Sequence, residues 1–131
     1  MCDIDNIMYL IDWERTEEEQ KLGIKLARKV KTISAFLQPK GKNLWDNCAI
    51  ILSEKSDEEL KPYLSELFEW LEDLNWPGAF CIWNRLREYK DKEWFDVILN
   101  YKIEDAIALN REIWLDNLLE LKKETDEKTG D

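Results

Sequence analysis

The sequence predicts an all-α fold: a right-handed stack of antiparallel helical hairpins, about seven helices in one domain. Three observations predict it. Only 4 Gly and 3 Pro occur in 131 residues, so helices have room to run long. Apolar residues recur three and four apart, and no stretch between turn signals alternates with period two, so strands are not expected. Hydrophobic residues make up 44% of the chain, with 7 Trp. They form stripes wider than one neighbouring helix can cover, which favours layered pairs that bury their faces against the next pair.

The elements follow in order. Residues 1–13 place Ile4, Ile7, Met8 and Ile11 at helical spacing, a short first helix. Thr16-Glu-Glu-Glu19 then reads as a capping box, and its three acids suit the positive end of a helix dipole. From there the stripe Leu22, Leu26, Val30, Ile33, Leu37 predicts one long second helix ending before Pro39, with Ile24 and Ala35 on its opposite side. Gln38-Pro-Lys-Gly-Lys42 is the clearest loop, and Asn43 is placed to cap a third helix with Leu44, Trp45, Cys48, Ala49 and Leu52 inward. Ser56-Asp-Glu-Glu59 is a second capping box. It opens a fourth helix with the stripe Leu60, Leu64, Leu67, Leu71, Leu74, and Pro62 lies in its first turns, where a missing amide costs least. Asn75-Trp-Pro-Gly78 breaks the chain and restarts it, with Pro77 at a first helical position. The fifth helix carries Ala79, Ile82, Trp83, Leu86 and Tyr89. Asp91 caps a sixth running towards Leu109, and Asn110 caps a seventh with Ile113, Trp114, Leu115, Leu118, Leu119 and Leu121. Residues 1–123 make the domain, and 124–131, without apolar residues, form an acidic tail expected to fray.

Composition excludes several chemistries. The chain has no His, which removes Ser-His-Asp triads, Cys-His pairs and His-ligated metal. Its net charge of −10 repels phosphate backbones. The one basic cluster (Lys21, Lys25, Arg28, Lys29, Lys31, Lys40, Lys42) does not change that. Residues 1–60 hold 12 acids against 9 bases, and the rest hold 17 against 10, so no nucleic-acid partner is expected. Cys2, Cys48 and Cys81 are widely separated without a C-x-x-C spacing, and Cys48 and Cys81 sit among apolar residues as small hydrophobes. Free thiols, an acidic N-terminus and apolar runs of at most five residues point to a cytoplasmic protein with no membrane partner.

The segment Leu64-Ser-Glu-Leu-Phe-Glu-Trp-Leu-Glu-Asp-Leu-Asn-Trp-Pro77 carries a family pattern. Leu64, Glu66, Leu67, Glu69, Trp70, Leu71, Asp73, Asn75, Trp76 and Pro77 fit it, as does Trp114 after Asn110. Ser65 stands where Pro is usual and Arg111 where Asp is usual. On these residues the chain resembles domain of unknown function family 5071 over roughly 38–121. The resemblance implies a HEAT-like α-α superhelix and implies no activity.

Candidate sites are few. Glu69, Glu72, Asp73 and Asn75 gather at the C-terminal end of the fourth helix beside Trp76. Carboxylates there oppose the helix dipole, so either they form a solvated face or they contact a basic partner with Trp76 as anchor. Acid–base catalysis needs one desolvated carboxylate in a cleft, and every acid falls on the polar side of its helix. Metal held by carboxylates needs oxygen ligands clustered in a loop, and the main loop, 39–42, is basic. No catalytic residue, cofactor or metal is therefore assigned. The expectation is a non-enzymatic helical module that binds another protein, with an immunity or antitoxin-like inhibitor of a basic toxin as a sharper variant. A small-molecule binder or hydrolase using Asp or Glu, or a self-associating unit, is the alternative. Oligomeric state is not legible.

Overall fold

The computed structural model describes residues 4–129, and all regular structure among them is helical. There are seven α-helical segments among the described residues. They are α1 (Ile4–Leu10), α2 (Glu17–Ala27), α3 (Trp45–Ser53), α4 (57–72), α5 (Ala79–Arg87), α6 (Lys92–Ala108) and α7 (Glu112–Thr129). Within α4, α-helix over Asp57–Leu60 and Leu64–Glu69 is joined and closed by 3-10 turns at Lys61–Tyr63 and Trp70–Glu72. The interruption falls at Pro62, whose ring nitrogen has no proton to donate.

Adjacent helices pair at both ends, α1 with α2 and α6 with α7. Between them α2 lies on α3, and the packing then skips along the chain: α3 on α5, α5 on α7, and α4 on α6. One continuous apolar cluster runs from Ile7 through Phe36, Phe68, Trp70 and Phe95 to Leu121. Each such side chain taken from water contributes about 1.5–3 kcal/mol.

Both capping boxes form. Thr16 Oγ1 accepts from the Glu19 amide at 3.1 Å while Glu19 Oε1 accepts from the Thr16 amide at 3.2 Å. Ser56 and Glu59 repeat the exchange at 3.1 Å each way. Asp91 caps α6 through the Trp94 amide at 3.1 Å.

The structure corrects other expectations. The long second helix stops at Ala27, and Ile33–Phe36 is a separate 3-10 turn that sinks Ile33 and Phe36 into the core. The buried face of α2 is Gly23 and Ala27, whereas Leu22 and Leu26 face solvent. Small residues decide this face because α1 comes too close for large ones. A Cβ at Gly23 would lie 2.6 Å from Ile11 Cγ2. Asn43 makes no cap hydrogen bond; α3 is entered through a 3-10 turn, Lys42–Leu44. Asn110 ends α6 instead of starting α7: its φ is +57°, and the Arg111 amide reaches back to Ala106 O at 2.9 Å, a left-handed C-terminal stop. Pro77 stands in the turn before α5, not in its first turn.

The tail expected to fray is helical to Thr129. Thr125 is buried and donates its hydroxyl proton to Leu121 O at 3.0 Å, Asp126 pairs with Lys92 at 2.6 Å, and Lys128 pairs with Glu88 at 3.0 Å. Residues 130 and 131, and Cys2, lie outside the described residues.

Candidate functional site, a groove beside the Asn-Trp-Pro-Gly turn

Asp73 leaves the helical region with φ −143° and ends α4. Its side-chain Oδ1 accepts from the Asn75 amide at 2.8 Å and its carbonyl accepts from the Trp76 amide at 3.0 Å, folding the chain back on itself. Gly78 then takes φ +81°. A Cβ there would also meet Ala49 Cβ at 2.7 Å and Trp45 O at 2.8 Å, so conformation and space both require glycine.

Three tryptophans brace this turn. Trp70, fully buried, donates Nε1–H to Pro77 O at 3.0 Å. Trp45 meets Trp70 and Trp76 edge-on, at centroid distances of 5.8 and 5.6 Å, and donates its own Nε1–H to Pro39 O at 2.7 Å. Lys42 Nζ lies 5.7 and 5.6 Å from the Trp45 and Trp76 ring centroids, so one ammonium faces two rings.

In front of the turn runs a groove of about 530 Å³, lined by Asp46 and Ile50 of α3, by Leu74 through Gly78, and by Phe80 and Cys81 of α5. Phe80 is 61% exposed, unusual for a phenylalanine, and Ile50 is 38% exposed across from it. The groove wall is apolar with a single carboxylate, Asp46. Burial pushes the Cys81 thiol above its ordinary pKa against the effect of the Ser53 hydroxyl, and the charge of Asp46 adds to the rise. Burial likewise pushes Cys48 up to about 12. Both thiols therefore stay protonated and are poor nucleophiles at neutral pH.

The five residues singled out by sequence separate into two groups. Asn75 and Trp76 line the groove. Glu69 and Glu72 instead tie α4 to the last hairpin: Glu69 accepts from Lys102 Nζ at 2.7 Å, and Glu72 pairs with Arg111. Asp73 is occupied in the turn. The carboxylates that crowd the negative end of α4 are thus answered by two cations, 33 and 39 residues further on. Nearby, α7 supplies the missing donors: Trp114 Nε1 reaches Phe68 O at 3.0 Å and Asn117 Nδ2 reaches Leu71 O at 2.8 Å. Sequence reasoning missed Phe80 and Ile50, which look like ordinary members of apolar stripes.

A second cavity, of about 310 Å³, lies where α5 and α7 end and α6 begins, lined by Tyr89, Phe95 and Thr125 with Arg87, Lys92 and Lys128 at its rim. Those three cations are already paired, with Glu124, Asp126 and Glu88. Among the described residues no group of three His, Cys, Asp or Glu is placed to hold a metal, and no helix is long and apolar enough to cross a membrane.

The family model for a domain of unknown function (DUF5071) matches residues 37–129. The matched span begins after α1, α2 and the Ile33–Phe36 turn, and contains the whole groove. No curated protein and no solved structure matches the chain.

Proposed function

The chain belongs to the DUF5071 family, a domain of unknown function, and on that premise we propose that it is a non-enzymatic module that binds another protein through the groove beside Asn75 and Trp76. The observation that carries this reading is Phe80, 61% exposed opposite Ile50 and the half-buried Trp76 on a rigid turn. Aromatic and aliphatic side chains held proud of a braced scaffold are what an interface uses as anchors. The partner's contact is an apolar side chain flanked by basic residues, because this chain's net charge of −10 and Asp46 at the groove favour positive charge.

Enzymatic use of the chain has less support. The carboxylates with a shifted acidity are pushed down, as Glu59 is by the Ser56 amide and Glu88 by Lys128, which is the reverse of a general acid. Contacts between every second helix from α3 to α7 support the further reading of a HEAT-like stack, whose edges commonly serve as binding surfaces.

The test uses affinity capture from the native cell, followed by calorimetry with the purified partner. Phe80→Asp should leave the helical circular-dichroism signal intact and weaken binding at least about tenfold, roughly 1.4 kcal/mol. Unchanged affinity in a folded Phe80→Asp protein removes the groove as the contact surface.

A further inference from the structure

The packing order sets α2 and α7 at opposite ends of one row, α2 on α3, α3 on α5, α5 on α7. Each end helix keeps a face that nothing covers among the described residues, and the two faces carry opposite charge. On α2 and the turn after it, Lys21, Lys25 and Lys29 form an exposed stripe at four-residue steps. Beside it Leu22 and Leu26 are 47% and 36% exposed. On α7, Glu112, Asp116 and Glu120 form an exposed stripe with the same step, beside Ile113 and Leu119 at 71% and 45% exposed. Elsewhere the chain pairs its charges across elements, as in Arg85–Asp57, Lys102–Glu69 and Lys128–Glu88. No ion pair engages Lys25, Lys29, Glu112, Asp116 or Glu120 among the described residues; Lys21 has only Glu17, one turn back on its own helix.

We infer that the α2 face of one molecule docks on the α7 face of a second copy, head to tail. Laid antiparallel, the two stripes fall into one register: Lys29 opposite Glu112, Lys25 opposite Asp116, Lys21 opposite Glu120. A three-residue step further brings Glu18 opposite Lys123, where the sign reverses together on both helices; the four-residue step sets Glu17, already bonded to Lys21, opposite Glu124, already bonded to Arg87. A second copy is the occupant because the complement of each face is present on the same chain. The contact is heterologous: each copy offers an unused face to the next, and short chains of molecules result. Exposed pairs contribute little individually, and the overall charge of −10 opposes crowding, so association is weak and concentration-dependent.

Sedimentation equilibrium at about 0.15 M salt, where charge is felt over only about 8 Å, tests it. The wild-type mass should rise with concentration up to about 1 mM, the range of weak encounters. Lys25→Glu/Lys29→Glu and Asp116→Lys/Glu120→Lys proteins, altered only at exposed positions, should each stay monomeric alone and associate when mixed, since the intact α2 stripe of the second then meets the intact α7 stripe of the first. Three results overturn the inference: a wild-type monomer throughout, association of either variant alone as strongly as wild type, or no association on mixing.

Discussion

Lys55 is 6% exposed and makes no salt bridge among the described residues; its Nζ donates to three carbonyls, Ala27 O at 3.1 Å, Arg28 O at 3.3 Å and Val30 O at 3.0 Å. Those carbonyls lie at and just beyond the C-terminal end of α2, where a cation also meets the negative end of the dipole. The lysine thus ends a helix whose apolar pattern would have carried it on. Arg85 reinforces the corner, donating to Lys55 O at 3.0 Å and to Asp57 at 2.5 Å. Lys55→Met keeps the length of the side chain and strands the Arg28 and Val30 carbonyls. It should cost about 2–4 kcal/mol and lower the melting temperature by about 10 °C. Lys25→Met, on the exposed face of the same helix, should change stability by less than about 0.5 kcal/mol. Calorimetric melting of the two proteins checks the pair; equal melting temperatures would mean that the buried ammonium does not hold α2.

Elements announced by a Ser, Thr or Asp cap were legible in the sequence: Thr16, Ser56 and Asp91 each bond within three residues and cap where the spacing put them, whereas Asn43 and Asn110, also expected to cap, do not. What depends on distant partners was not. The face of α2 turned on Gly23, chosen by the closeness of Ile11, and no periodicity reports that. The groove was half visible, since the turn residues Asn75 and Trp76 stand out while Phe80 reads as one more stripe residue. The C-terminal segment looked like a tail because it lacks apolar residues, yet it is held by polar contacts. Glu124 takes Arg87 at 3.1 Å, Asp126 takes Lys92, and Thr125 is buried against the cavity wall. Deleting 124–131 should therefore lower the urea midpoint by an amount worth about 2–3 kcal/mol, against less than about 0.5 kcal/mol for an unstructured tail. Urea titration followed by tryptophan fluorescence separates the two outcomes, and Trp83, whose Nε1 sits 3.4 Å from Glu124, should shift towards solvent emission.

At the scale of the molecule, charge acts in two opposed ways. Twenty-nine acids against nineteen bases repel one another in the compact state, a cost that shrinks as carboxylates protonate. Specific pairs act the other way. Asp57 is lowered even though burial pushes it up, because the Lys90 amide at 2.9 Å and Arg85 at 2.5 Å favour its anion; the Arg85–Asp57 pair is 12% and 27% exposed. Asp126 is lowered by its hydrogen bond from Lys92, and Glu88 by its bond from Lys128. A carboxylate whose folded pKa lies below its unfolded value stabilises the fold fully above the unfolded value. That contribution is lost as pH falls through the folded one. With ordinary values of 3.8 for Asp and 4.5 for Glu, stability should hold level above about pH 5 and fall below pH 4. Relief of repulsion predicts the reverse slope over the same window. The pairs win because they join separate helices at contact distance, α4 to α5 and α6 to α7, whereas the unpaired acids face solvent in which salt at about 0.15 M screens them within about 8 Å. Urea midpoints measured from pH 7 to pH 3 decide between them. A midpoint that climbs steadily to pH 3 would mean that diffuse repulsion, not paired contact, governs how acid reaches this fold.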